Sequence, residues 1–158
     1  MTDDSLSEEK PKTLEGIMEH LNKQVAHVPG FTPPHIEKDA LYCPLPESCS
    51  QEEKNEYRSA AVFLAALATE VKAWRAQLPP NFQPAVMAIL HGGVQVKVVR
   101  LAQVSFDGIR IEGLLQDNPV TLFAHQSTVQ MMCFAMEIRE AEERNPIGFI
   151  WPDREEDI

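Results

Sequence analysis

The side chains of this 158-residue chain best suited to chemistry at neutral pH are five histidines and three cysteines, and their spacing limits what they can do. His91 and His125 stand in the half of the chain patterned as strands. A metal ion or a general base there would need Cys133, Asp107 or Glu112 as partner, and no ligand spacing connects these residues. His20 and His27 are two helical turns apart, about 10 Å, too far to share an ion, and His35 is isolated. For each histidine, a hydrogen-bonded position at a turn or on a surface is the simpler reading. Cys43, Cys49 and Cys133 are odd in number and form no C-x-x-C pair, against both a disulfide framework and a structural zinc site. Cys133, within Met131-Met132-Cys133-Phe134, reads as a small hydrophobe. Ser105-Phe106-Asp107-Gly108 lacks the G-x-S-x-G frame that exposes a nucleophile and reads as a tight turn. His91-Gly92-Gly93 resembles an oxyanion-hole loop but has no nucleophile to serve. No Gly-Lys-Ser/Thr follows these glycines, so they form no P-loop. The expectation is a protein without catalytic residues, cofactor or metal.

The elements that would position these residues follow from periodicity. Val94, Val96 and Val98 alternate with Gln95, Lys97 and Val99, and Ile109 and Ile111 with Arg110 and Glu112, the pattern of strands with one buried face. Strands are expected over 94–106, 109–115, 120–125 and 129–136, with turns at Asp107-Gly108, at Asp117-Asn118-Pro119 and near Gln126-Ser127-Thr128. Residues 84–91 admit two readings. One is a short helix opened by Pro84 and ended by Gly92; the other, preferred, is a strand from Val86 to Leu90 leading into a hairpin. Upstream, Leu14, Ile17, Met18, Leu21, Val25 and Val28 give the apolar stripe of a first helix. Five prolines between Pro29 and Pro46 then impose an extended connector. Ser50 and Glu53 form a capping box for a second helix lined by Tyr57, Ala60, Ala61, Leu64, Leu67, Ala68, Val71 and Trp74, ending at Pro79-Pro80.

The expected organisation is a disordered acidic tail over 1–12, a helical region with its Pro-rich connector over 13–80, a small barrel over 84–151 and an acidic tail over 152–158. Short strands in meander order leave exposed edges, and curling removes most of them. The fold expected is α+β: two N-terminal helices packed on a small antiparallel SH3/Sm-like β-barrel. Net charge is −10. Within 84–138, Lys97, Arg100 and Arg110 face Asp107, Glu112, Asp117 and Glu137, so no linear basic patch invites a polyanion. Met1-Thr2-Asp3-Asp4 lacks the apolar core of a secretory signal, and no segment approaches the roughly 20 apolar residues of a membrane span. A cytoplasmic setting is expected, without membrane contact.

The strands resemble the Sm-like family, especially its bacterial RNA-chaperone branch, Hfq. The likeness rests on Ser105-Phe106-Asp107 leading into a strand and on Phe123-Ala124-His125-Gln126-Ser127-Thr128-Val129 before the last one, and it covers about residues 94–136. It implies a bent five-strand barrel behind a helix and rings closed through strand edges. It also implies an RNA face, but here the sequence departs. Gly108 and Ile109 stand where the family keeps a glutamine and a stacking aromatic, and Ala124 where it keeps a lysine. Stacking needs a π-face and phosphate contact needs a cation, and neither Ile109 nor Ala124 supplies one.

In the last strand Val129, Met131, Cys133 and Ala135 occupy one face and Gln130, Met132, Phe134 and Met136 the other, so both faces are largely apolar. Non-catalytic binding follows as the expected function, in an adaptor, assembly or regulatory role, with a protein partner or a homo-oligomer. Met132, Phe134, Met136, Phe123, His125 and Arg110 are the candidate contacts. Sm-like RNA binding through His125, Phe123 and Arg110 is the runner-up, disfavoured by charge, and a histidine-based enzyme comes third.

Overall fold

The computed structural model describes residues 25–35, 48, 50–139 and 144–158. Two helices, α1 (Gln51–Tyr57) and α2 (Ala60–Gln77), precede the strands β1 (Phe82–Leu90), β2 (Gln95–Gln103), β3 (Gly108–Leu115), β4 (Asn118–His125), β5 (Val129–Glu137), β6 (Gly148–Ile150) and β7 (Glu155–Asp157). The strands form one seven-stranded mixed sheet in the order β4-β3-β2-β1-β5, with β6 parallel on β2 and β7 antiparallel on β6.

This overturns the expected fold of two N-terminal helices on a closed antiparallel barrel. The sheet is mixed and open, and its single long helix among the described residues, α2, has 18 residues. The expected first helix falls largely outside the described residues, and its last four positions, 25–28, are irregular chain. Only the 3-10 turn Gln126–Thr128 joins β4 to β5. The outer strands of a flat five-strand sheet would lie about 19 Å apart, whereas four residue steps reach about 14 Å at most. The sheet therefore curls at this end without its edges pairing.

Openness arises on β2. β1 pairs with β2 only from Met87 to Ile89, and continuing that register would bring Pro84, which has no N–H to donate, to Arg100. A bulge between Val98 and Arg100 bends β2 at this level. The edge β1 gives up is taken by β6, with Arg100, Leu101 and Ala102 opposite Gly148, Phe149 and Ile150. The C-terminal stretch expected as an acidic tail contains β7. It is clipped to α2 by Lys72 on Glu156 and by Arg75 Nη2 donating to the Ile158 carbonyl at 3.1 Å. The Lys72 bond holds the Glu156 carboxyl below its usual range.

The core lies between α2 and the sheet. Leu64, Ala68 and Val71 meet Val86, Ala88, Val96, Val98, Leu101, Ile109, Ile111 and Phe149, all buried. The capping box forms, with Ser50 N–H on Glu53 Oε2 at 2.6 Å and Glu53 N–H on Ser50 Oγ at 3.2 Å. The expected single helix nevertheless breaks at Arg58-Ser59, where Ser59 is extended and Ala60 N–H donates to Phe106 O at 2.7 Å. The ambiguous segment is strand through Leu90, followed by a turn with Gly92 and Gly93 at positive φ.

Gly113 shows how tightly β2 and β3 approach: a Cβ there would lie 2.2 Å from the Lys97 carbonyl oxygen. That oxygen is backbone in a paired ladder and cannot yield cheaply, and the next atom met, Cγ1 of the fully buried Val96 side chain, lies 2.7 Å away. Gly113→Ala is expected to destabilise the protein by about 1–3 kcal/mol through overpacking. A lowered denaturant midpoint at unchanged m-value checks it, and an unchanged midpoint would contradict the packing.

Candidate functional site

The β2–β3 turn is built by local polar chemistry. Ser105 Oγ accepts Gly108 N–H at 2.9 Å, and Val104 N–H donates to Gly108 O at 3.0 Å. The turn is then held by two other segments. Phe106 O receives the first N–H of α2, and Asp107 O receives Gln126 N–H at 2.9 Å. The Gln126 side-chain amide donates both to Asp107 Oδ1, at 3.2 Å, and to the Arg58 carbonyl. Gln126 thus ties the hairpin tip, the helix break and the 3-10 turn together.

Above these contacts lies a shallow hollow of about 500 Å³ lined by Val104, Phe106, Asp107, Ile109, Phe123 and His125, among others. Three of its lining residues are apolar and strongly exposed: Phe123 at 70%, Val104 at 50% and Phe106 at 47%. Large apolar side chains gathered at one exposed spot are the usual mark of an interaction surface.

His125 caps the 3-10 turn, with Nδ1 accepting Ser127 N–H at 3.2 Å and lying 2.7 Å from Ser127 Oγ. That places the Nδ1 lone pair toward Ser127 and Nε2 toward Asp107 Oδ2, 3.6 Å away. The three residues echo an Asp–His–Ser relay, but the histidine contact is a local cap. Asp107 and His125 line one hollow, while Ser127 lines another, of about 410 Å³, with Ile89, Leu90, His91, Thr128 and Gln130. An acyl group held beside the hydroxyl would sit in a different hollow from the base and carboxylate. Among the described residues, no group of three or more His, Cys, Asp or Glu is placed to hold a metal ion.

The six candidate contacts all lie on the sheet face turned away from α2, in two groups. Phe123 stands directly opposite Arg110, and His125 opposite Gly108, so Arg110, Phe123 and His125 are neighbours. Arg110 is bonded to Glu112, which also pairs with Arg100 at 3.6 Å. Phe134 is buried with Ala85 and Met87, and Met132 and Met136 pack partly buried against them, a separate small core across the sheet. The opposite face of β5 carries Val129, Met131 and Cys133 into the main core. Sequence reasoning missed Val104, Phe106 and Gln126. The first two stand at the end of a strand and in a turn, where exposure leaves no periodic signal, and Gln126 acts through contacts distant in sequence.

Comparison with models of protein families, with curated proteins and with solved structures finds no match for this chain. Among the described residues, no helix is long and apolar enough to cross a membrane.

Burial, with the Glu70 carboxylate nearby, pushes the Cys133 thiol up to about 12. A raised thiol pKa means that the folded state favours the protonated form. Its contribution to stability is intact below the unfolded thiol pKa and is lost as pH rises toward 12. Cys133 in the native protein should therefore react with iodoacetamide at pH 8 at least tenfold more slowly than in denaturant, read peptide by peptide by mass spectrometry. Equal rates would show that the thiol is open to solvent.

Proposed function

We propose that this protein is a non-catalytic binding protein that engages a protein partner along β4 and the adjoining hollow. The observation carrying this reading is that β4 is an edge strand without a charged side chain. Asn118-Pro119-Val120-Thr121-Leu122-Phe123-Ala124-His125 contains no Lys, Arg, Asp or Glu, in a chain that is 24% charged. Soluble proteins normally guard such an edge with charge, proline or a bulge, because its free N–H and C=O groups recruit another strand. Among the described residues the only guard here is Pro119, at the start of the strand. An extended segment added to β4 gains main-chain hydrogen bonds, and the hollow at Val104, Phe106 and Phe123 takes an apolar side chain beside it. The resemblance to Sm-like proteins, which associate through strand edges, points the same way.

A second reading, RNA binding, is favoured by one observation, the grouping of Arg110, Phe123 and His125 on one face. Against it, Glu112 engages both Arg100 and Arg110, and the chain carries −10 overall. Phosphate contact requires cations that are not already paired.

A photo-crosslinking phenylalanine analogue at Phe123, with the same analogue at the exposed Val62 on α2 as control, separates the readings in cells. Protein adducts specific to position 123 are expected. Nucleic-acid adducts there would promote the second reading, and no adduct above the control would sink both.

A further inference from the structure

We infer that the occupant of β4 is a second copy of this chain, joined by antiparallel β4–β4 pairing about a two-fold axis. The inference rests on the edge-binding reading above and names its partner. It follows from a difference between the two ends of the sheet. The outer edge of β5 is in use by the chain itself at its C-terminal end: Ala26 N–H donates to Ala135 O at 2.9 Å, and Val28 is buried against Trp74 and Ala135. A head-to-tail assembly in which β4 of one copy adds along the whole of β5 of the next would have to displace this segment. β4 has no such cover among the described residues, so the free edge of one copy meets the free edge of another. An interface made of the same surface twice closes on itself as a dimer.

The backbone geometry allows this pairing. The turn at Gln116 and Asp117, both at positive φ, leaves Leu115 opposite Asn118, a two-residue hairpin. In such a hairpin Asn118, Val120, Leu122 and Ala124 direct their backbone groups to β3, while Thr121 and Phe123 direct theirs outward. Continuing the sheet with the same face up requires residues of equal parity to oppose each other. With the axis at Leu122, for example, Thr121 of each copy pairs with Phe123 of the other. The β4 edges that meet carry no formal charge, so the repulsion between two molecules of net charge −10 acts from a distance and is screened by salt.

Sedimentation velocity over low to high micromolar concentrations tests the pairing. Wild type should show a dimer whose population rises with concentration and with salt. Thr121→Pro removes an outward N–H while leaving the bonds to β3, a position where an edge strand tolerates proline. Phe123→Lys adds the missing guard charge. Both variants should sediment as monomers, with far-UV circular dichroism and thermal melts close to wild type. A wild-type monomer at high micromolar concentration would overturn the inference, as would a larger ring or a dimer that survives both variants. Protein adducts at Phe123 together with a wild-type monomer would leave the binding function standing and remove only the second copy as partner.

Discussion

The structure depends on the sharing of one edge of β2 between two partners. β1 holds the first half, from Gln95 to Lys97, and β6 holds Arg100 to Ala102. Two local features force the exchange: a proline in β1 that cannot donate at this level, and an extra residue in β2 that turns the strand. If β1 followed β2 throughout, β6 would have no strand to join. Ile147, Phe149 and Trp151 would then lose the register that buries them under α2. The hairpin of β6 and β7 is a structural part of the core rather than an appendage. Trp151 Nε1 reaches the Ala61 carbonyl at 3.0 Å, and Arg154 stacks over the Trp151 ring.

The helix break follows from the same curl. A sheet bent toward α2 brings the β2–β3 turn to the helix start, and Phe106 O satisfies an N–H that an uninterrupted helix would have bonded internally. Ser59 marks the break as a capping residue type, yet its own hydroxyl is buried without a hydrogen-bond partner among the described residues. The cap function has passed to the backbone of a distant turn. This contact holds Phe106 near Phe123, so the hollow depends on long-range backbone bonds rather than on the hairpin alone.

Much of this was legible in the sequence. Alternation located β2, β3, β4 and β5 to within a few residues, because each buries one face: Val96, Val98, Ile109 and Ile111 are all in the core. The stripe of α2 and the Ser50–Glu53 capping box were legible for the same local reasons. What could not be read was closure. The alternation changes phase after Val98, where Leu101 and not Arg100 turns inward, and that slip is the only local trace of the bulge. Parallel pairing of β6 with β2 leaves no trace at all in a three-residue run. Glu155–Asp157 reads as a solvated acidic end because its place as β7 is set by β6. At the site, Phe123, His125 and Arg110 were identified individually, but their adjacency is a matter of register.

The placement of charge bears on the proposed role of the two ends. β2 and β3, both interior strands with no free edge to guard, carry Lys97, Arg100, Arg110 and Glu112, with Glu112 joining two arginines across the ladder. β4, whose outer edge has no partner strand among the described residues, carries none. A protein under pressure only to stay dispersed would place its charges the other way round, since a single lysine on an edge costs little stability and blocks pairing. The hollow beside β4 has the same character: its aromatic and aliphatic walls are exposed, while its one carboxylate, Asp107, is engaged by Gln126 and faces His125. Apolar surface and unguarded backbone at one location are each a liability in isolation, and a covering strand removes both at once.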